Sequence, residues 1–387
     1  MAAVAAAAAA ILAPSAAAQQ DRPIMGVVGT SETWDSNIFR LNDSAGPKSD
    51  RLNATHVGLR VDKPYAQQRF LLDITETAYH YRNFSNLNFN ALQYRGAWQW
   101  TVTPRVSGTL SADRSESLVN YADFRSTTQR NLRISENQQA SIDALLFGGW
   151  HLVGAAFHQQ SRAEITFQVP SYRATGGEGG IKYLFLSGNS AALNLRSTNG
   201  SYINQPLDPV ALTDDSFRRS ETELLGTWTA SGHSAFDGRL AWVDYRSNHF
   251  SERDFSGSAA RLAYRWTPSA KLSFSFSAAQ DVYPWQDSSA SYRVDKRLSA
   301  GPTWQAGPRT AIRMSLDQVS ASYRRPLPGF TGPEHRDTTR IALLGWDWKA
   351  WRNLSVNASV QRTRRSSTDA SFEFHDTVTT VGASLMF

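Results

Sequence analysis

The chain has 387 residues, 41% hydrophobic and 11% aromatic, with 40 Lys and Arg against 34 Asp and Glu, a formal charge of +6 and no cysteine. The lack of cysteine excludes a disulfide framework and thiolate metal sites. The basic residues, mostly Arg, are dispersed rather than clustered among stacking aromatics, which excludes a nucleic-acid interface and leaves an acidic ligand inside a pore as the better fit. A mean hydropathy of -0.42 resembles that of a soluble protein. Barrels built of strands nevertheless hide their apolar face in alternate residues and score weakly on such a scale.

Met1 to Gln20 is an alanine-dominated apolar run with Ile11 and Leu12, then Pro14 and Ala16-Ala17-Ala18. This reads as a signal peptide cut after Ala18, although no Lys or Arg precedes the apolar core. It is too short for a spanning helix, which needs about 20 apolar residues, and no such run follows. Residues 1-18 are thus read as leader and 19-387 as a single domain. No composition shift marks a second one.

Strand patterns follow at Ile24 to Thr33, Leu52 to Asp62, Arg69 to Tyr81, Phe89 to Thr101, Arg105 to Ser115 and Gln138 to Gly149. They continue at Leu152 to Ala163, Tyr172 to Leu186, Ala191 to Asn199, Phe217 to Thr229, Ser234 to Arg246 and Phe255 to Trp266. The last six are Lys271 to Tyr283, Tyr292 to Trp304, Thr310 to Tyr323, Thr338 to Trp348, Leu354 to Arg364 and Phe372 to Phe387. The total is eighteen, an even number, with no convincing helix. Every second connection is short, as at Val102 to Arg105 and Thr267 to Lys271, and those between are long and polar, such as Glu116 to Asn137 and Gly200 to Ser216. Pro104, Pro268 and Pro308 stand in short turns, where a preset φ helps and no ladder donor is lost. A sandwich has no reason for this alternation. An antiparallel up-and-down membrane barrel, with short periplasmic turns, periplasmic termini and long outer loops, does.

Several strands separate into two faces. Leu92, Tyr94, Trp98 and Trp100 alternate with Gln93, Arg95 and Gln99, and Leu272, Phe274 and Phe276 with Ser273, Ser275 and Ser277. An Arg near a bilayer midplane costs about 2–4 kcal/mol, so the polar face belongs to the lumen. Candidate lumen residues along a translocation path are Arg60, Asp73, Arg95, Glu221, Glu223, Arg261, Arg265, Arg293, Asp295, Arg297, Arg313 and Asp317. They either brace the wall by pairing across strands or meet hydrated, anionic solutes. The abundance of Trp, Tyr and Phe suits aromatic girdles at two membrane interfaces. The outer loops Glu116 to Asn137 and Gly200 to Ser216 are candidate gates.

Two stretches carry a family resemblance. The final strand places Val381, Leu385 and Phe387 on one face and resembles the barrel-closing strand of outer-membrane proteins, in which a C-terminal Phe recurs. Thr33-Trp34-Asp35-Ser36-Asn37-Ile38-Phe39-Arg40 resembles the D-x-N-[LI]-[FY]-R segment after the first strand of EpsL-type outer-membrane proteins, associated with exosortase B and extracellular polysaccharide clusters. Trp34 stands where Tyr is more usual. Read from residues alone, Asp35 and Asn37 cap a turn. The resemblance implies export of a polysaccharide across the outer membrane of a Gram-negative cell, with membrane lipid, the polysaccharide and envelope export components as partners. A general or oligosaccharide-uptake porin, and a non-conducting surface or adhesion barrel, are the alternative readings.

Catalysis is not expected. Asp214, Asp215, His249, His335 and His375 fall in or near outer loops, but no spacing sets a nucleophile beside a base. His56, His80, His151 and His158 stand apart, so neither a metal nor a cofactor is expected. Gly176-Gly177-Glu178-Gly179-Gly180 lacks a following helix and reads as a flexible entry to a strand, not a phosphate cradle.

Overall fold

The computed structural model describes residues 23–123, 128–165, 170–285, 287 and 289–387. The leader and its cleavage site lie outside the described residues.

Eighteen strands form one sheet: β1 Ile24–Asp35, β2 Asp50–Tyr65, β3 Gln68–Tyr81, β4 Phe89–Thr103, β5 Val106–Leu118 and β6 Leu132–Phe147. Next come β7 Trp150–Ala163, β8 Ser171–Leu184, β9 Ser190–Ile203, β10 Ser216–Ser231, β11 Ser234–Ser247 and β12 Phe255–Ser269. The last are β13 Leu272–Pro284, β14 Tyr292–Gly307, β15 Thr310–Arg324, β16 Arg336–Lys349, β17 Leu354–Ser367 and β18 Phe374–Met386. Each strand pairs antiparallel with its sequence neighbours, and β18 pairs with β1 from Val27↔Met386 to Asp35↔Val378. The sheet is therefore a closed barrel with no free edge. Phe387 completes the seam, exchanging backbone hydrogen bonds with Gly26 at 2.9 and 3.0 Å. Its ring lies where a Cβ on Gly26 would be. Among the described residues the only helical turns are four of three residues each, at Asp43–Ala45, Ser85–Leu87, Ser251–Arg253 and Ala370–Phe372.

Period-2 alternation dictates the two surfaces. The outward wall bares large apolar residues, among them Leu240, Trp242 and Leu298 at 60%, 58% and 58% exposure. A belt of that kind suits hydrocarbon, where the strand ladder satisfies backbone groups that lipid cannot. Outward aromatics gather at the short-turn end. There Trp228, Phe236, Tyr264 and Phe276 stack in sequence across four strands, with centroids 5.6, 4.4 and 6.0 Å apart.

Two girdles were expected, and the second is replaced by ion pairs. At the long-loop end the outer wall carries Arg51–Glu32 at 2.5 Å, Arg114–Glu136 at 2.9 Å, Arg246–Asp244 at 3.0 Å and Arg324–Glu334 at 3.0 Å. This band also explains a boundary correction. Glu116 and Glu136 look like loop residues, but they flank Arg114 on the outer wall, so β5 runs to Leu118 and β6 begins at Leu132. A second correction concerns Gly176 to Gly180, which lie in the interior of β8 rather than at its entry. A Cβ on Gly176 would collide with the Phe157 ring and the Ser197 carbonyl, and one on Gly180 with Asn194, so the glycines make room for inward side chains of the neighbouring strands.

Candidate functional site

All twelve residues named as lumen candidates lie on one face of the sheet. The register carries that face round the ring, from Arg60↔Asp73 and Asp73↔Arg95 to Arg261↔Ala279 and Ala279↔Arg297. It is the inner face, because Arg293 on it meets a loop entering from across the barrel. Eight of the twelve are engaged with one another or with neighbours. Arg60 donates to Asp73 at 2.8 Å, Arg293 to Asp295 at 2.5 Å and Arg313 pairs with Asp347 at 2.6 Å. Arg239 holds Glu221 at 2.6 Å and Glu223 at 3.0 Å, while Asp317 accepts from Ser299 and Ser315. Among the described residues Arg95, Arg261, Arg265 and Arg297 have no ion pair, and Asp317 has only its two serine partners. The inner wall is thus charge-balanced over much of its area. Three of these four arginines lie together on β12 and β14, on a face that also bears Asp113, Asp237 and Asp281 with no ion pair among the described residues.

The long loops decide how the lumen opens. We number them L1 (36–49), L2 (82–88), L3 (119–131), L4 (164–170), L5 (204–215), L6 (248–254), L7 (285–291), L8 (325–335) and L9 (368–373). L1 tucks inward: Asn37, Ile38 and Phe39 are buried, and Phe39 meets Phe84 of L2 and Tyr121 of L3 edge-on at 4.9 and 5.2 Å. Asp35 accepts from the Asn37 backbone N–H at 2.8 Å, the turn cap expected of those two residues. Arg40 adopts a left-handed φ of 56° and ties the turn down by donating to Asp35 at 2.8 Å and the Asn37 carbonyl at 2.5 Å. Trp34 faces outward beneath the Arg51 guanidinium, 5.4 Å from its ring centroid.

L3 goes further and crosses the lumen. Its Asp123 accepts from Arg365 on β17 at 2.6 Å and lies 3.6 Å from Arg293 on β14. In a ring of eighteen, β14 is nine strands from β5, where L3 begins, and so stands on the opposite wall. Arg365 also donates to the Ala122 carbonyl at 2.9 Å and to Asp337, and Arg293 sits over the rings of Trp285 and Tyr323. Asp123, Arg365 and Asp337 were not foreseen as lumen residues. Their sequence signal is the apolar and aromatic run of Val119, Tyr121, Ala122 and Phe124 around Asp123 in a loop that is otherwise polar.

Between L5, L6 and L7 a second loop cluster is clasped by Arg253. Its guanidinium, 1% exposed, donates to the carbonyls of Ala211, Leu212, Asp287 and Ala290 at 2.7 to 3.0 Å. Burial lowers its pKa, since carbonyls rather than a carboxylate surround it. Nearby, Asp214 accepts from the His249 ring at 2.9 Å, from the Ser247 hydroxyl and from the His249, Phe250 and Ser216 backbone N–H groups. Burial alone would raise this carboxyl. The hydrogen bonds outweigh that and hold it below the usual carboxylate range. Asp214, Asp215 and His249 each offer a ligand atom within 4.8 Å of the others, but the Asp214 oxygens are already saturated. The group reads as a loop clasp. The described structure sets no nucleophile beside His249, and His335 and His375 face Asp337 and Asp43.

No family model and no curated protein matches this chain. In fold it is similar to the outer membrane protein OpdK from Pseudomonas aeruginosa, at 11% identity and a TM-score of 0.52 over 94% of this chain and 98% of that one. It is likewise similar to Pseudomonas aeruginosa OccK2 (OpdF) in complex with glucuronate, at 12% identity and a TM-score of 0.52 over 95% and 98%. OccK3 (OpdO) from the same organism aligns at 13% identity and a TM-score of 0.51 over 94% and 95%. At such identities the shared property is the fold, a closed antiparallel barrel of eighteen strands.

Proposed function

We propose that this chain is an outer-membrane diffusion channel for small, hydrated anions, carboxylates foremost. The observation that carries the proposal is the group Arg261, Arg265 and Arg297, which faces the lumen with no carboxylate ion pair among the described residues, on the short-turn side of the L3 crossing. Arg297 lies four residues past Arg293 on β14, ~13 Å further along the strand. A guanidinium offers a planar pair of donors to a carboxylate, and rings of Arg bias a pore toward anions. Barrels of about 18 strands are wide enough for water, and L3 lies across this one, leaving a passage fit for small solutes. The crystallised complex of OccK2 with glucuronate supports the same class of solute. The apolar belt and the aromatic girdle at the short-turn end support an outer-membrane setting, with short turns in the periplasm. The test is the reversal potential of the purified channel in a planar bilayer under a salt gradient, with liposome swelling in glucuronate against a neutral sugar. Anion preference is expected. A cation-preferring or non-conducting barrel would sink the proposal.

A second reading, passive export of a secreted polysaccharide driven by inner-membrane polymerisation and envelope partners, is favoured by the segment Trp34 to Arg40 and its EpsL-type wording. It needs L3 to leave the lumen, since Asp123 spans it. Deleting the gene and measuring surface against periplasmic polysaccharide separates the two readings. Loss of surface material favours export, and lowered solute permeability alone favours the channel.

A further inference from the structure

The outer wall between β13 and β17 carries a feature that conduction does not use. In the register, one outward row runs Ala278, Leu298, Gln318, Arg340, Arg364, and the next row toward the short turns runs Phe276, Ala300, Leu316, Ala342, Arg362. Ala278, Ala300 and Ala342 stand where neighbouring outward positions carry Leu, Phe or Trp. The deficit leaves an apolar groove of about 660 Å³ on the wall, with Arg340, Arg362 and Arg364 lining its β16–β17 side.

Those arginines differ from most outward arginines toward the long-loop end, although Arg173 and Arg218 likewise lack a carboxylate and bond Ser201 and Asn199. Arg51, Arg114, Arg246, Arg324 and Arg336 all hold carboxylates. Arg340, Arg362 and Arg364 hold none among the described residues, and the one side-chain hydrogen bond among them runs from Arg340 to Gln318 at 3.2 Å. Arg340 and Arg364 are direct cross-strand partners, an arrangement of like charges that destabilises a sheet unless an anion lies between them. Placed where the apolar belt gives way to the charged band, three guanidinium groups match a phosphate, and the groove matches an acyl chain.

We propose that this face is a specific binding site for a phosphorylated lipid of the leaflet at the long-loop end, with its phosphate on Arg340, Arg362 and Arg364 and an acyl chain along Ala278, Ala300 and Ala342. The site rests on the barrel lying in a membrane and is independent of what crosses the lumen. Both parts act together: the arginines select the charge, and the alanines supply the recess that a flat wall lacks.

The test is native mass spectrometry of the full-length barrel from detergent, titrated with diphosphoryl lipid A, with its dephosphorylated form and with inorganic pyrophosphate. Preference for the phosphorylated lipid is expected to fall by at least roughly tenfold in R340Q/R362Q/R364Q, given the strength of charge-assisted bonds. A342W, which fills the groove and keeps the charges, is expected to lose lipid as well, while R51Q should retain it. Heat-modifiable gel migration checks that each variant folds. Equal retention by the wild type and the triple variant overturns the site, as does full competition by pyrophosphate, or a dimer that A342W dissolves, which would make a second copy the occupant. A barrel that fails to insert into vesicles overturns the membrane reading and the site together. One that inserts and conducts yet shows no lipid preference overturns the site alone.

Discussion

Asp123 of L3 lies 3.6 Å from Arg293, although the strands that carry them stand on opposite walls of the barrel. One carboxylate thus bridges the pore, and it does so twice over, because it also accepts from Arg365 at 2.6 Å. Arg365 is 5% exposed and shared with Asp337. A loop held only at its two ends would sweep the lumen. Tied to the far wall through Asp123, it lies across the lumen instead.

Replacing Asp123 by Ala is therefore expected to raise single-channel conductance severalfold, because L3 loses its carboxylate contacts to Arg293 and Arg365 and keeps only the Ala122 carbonyl on Arg365. Asp123→Glu should recover part of the wild-type value. Planar-bilayer recordings decide it: unchanged conductance in Asp123→Ala would mean that L3 does not set the width. The barrel itself should persist, since no ladder bond involves Asp123.

The substitution R261Q/R265Q/R297Q removes three positive charges and breaks no ion pair among the described residues. Each charge-assisted contact to a carboxylate is worth about 1.5–3 kcal/mol, so losing one alone should weaken solute binding roughly tenfold or more. The measurement is glucuronate-induced current noise together with the reversal potential. R60Q is the contrasting variant. Its charge is already matched by Asp73 at 2.8 Å, so breaking that pair should shift selectivity the same way but less.

The strands and their two faces could be read from the chain because one pattern, the period-2 alternation, fixes both the secondary structure and the side of the wall. Leu262, Tyr264 and Trp266 against Arg261 and Arg265 is a statement about β12 that needs no partner strand. The loops could not be read that way. Asp123 and Arg293 are far apart in sequence, and nothing local marks them as partners. Register was equally out of reach. Arg340 and Arg364 become neighbours, and Ala278, Ala300 and Ala342 become one recess, only after five strands are aligned. The outer charged band misled for a related reason: Glu116 and Glu136 are polar residues on a strand that continues past the hydrocarbon.

Arg253 holds L5, L6 and L7 through four backbone carbonyls, so its loss should free the loops and spare the barrel. Each buried carbonyl left unmet costs about 1–3 kcal/mol unless water reaches it. Arg253→Ala is expected to speed hydrogen exchange and proteolysis within 204–215 and 285–291, leaving strand amides protected. Arg253→Lys should restore little, since a compact ammonium cannot span carbonyls from two loops. Exchange at wild-type rates would show that the clasp is dispensable.

The Asp214–His249 clasp carries a pH dependence whose sign follows from two opposed shifts. The His249 imidazole, hydrogen-bonded to Asp214 against a smaller desolvation effect, titrates above its ordinary value. Its contribution is complete below about pH 6.5, the unfolded histidine value, and is lost as pH rises through the raised folded value. Asp214 is shifted the other way, so its contribution is present above about pH 4 and is lost only as pH falls through its depressed folded value. The clasp is therefore tightest between roughly pH 4 and 6.5 and loosens on the alkaline side first. Proteolysis within 204–215 and 248–254 should accelerate as the pH is raised from about 6 to 8, and Asp214→Asn should be fast throughout, with no such dependence. A wild-type cleavage rate flat across that range would dismiss His249 as the controlling group.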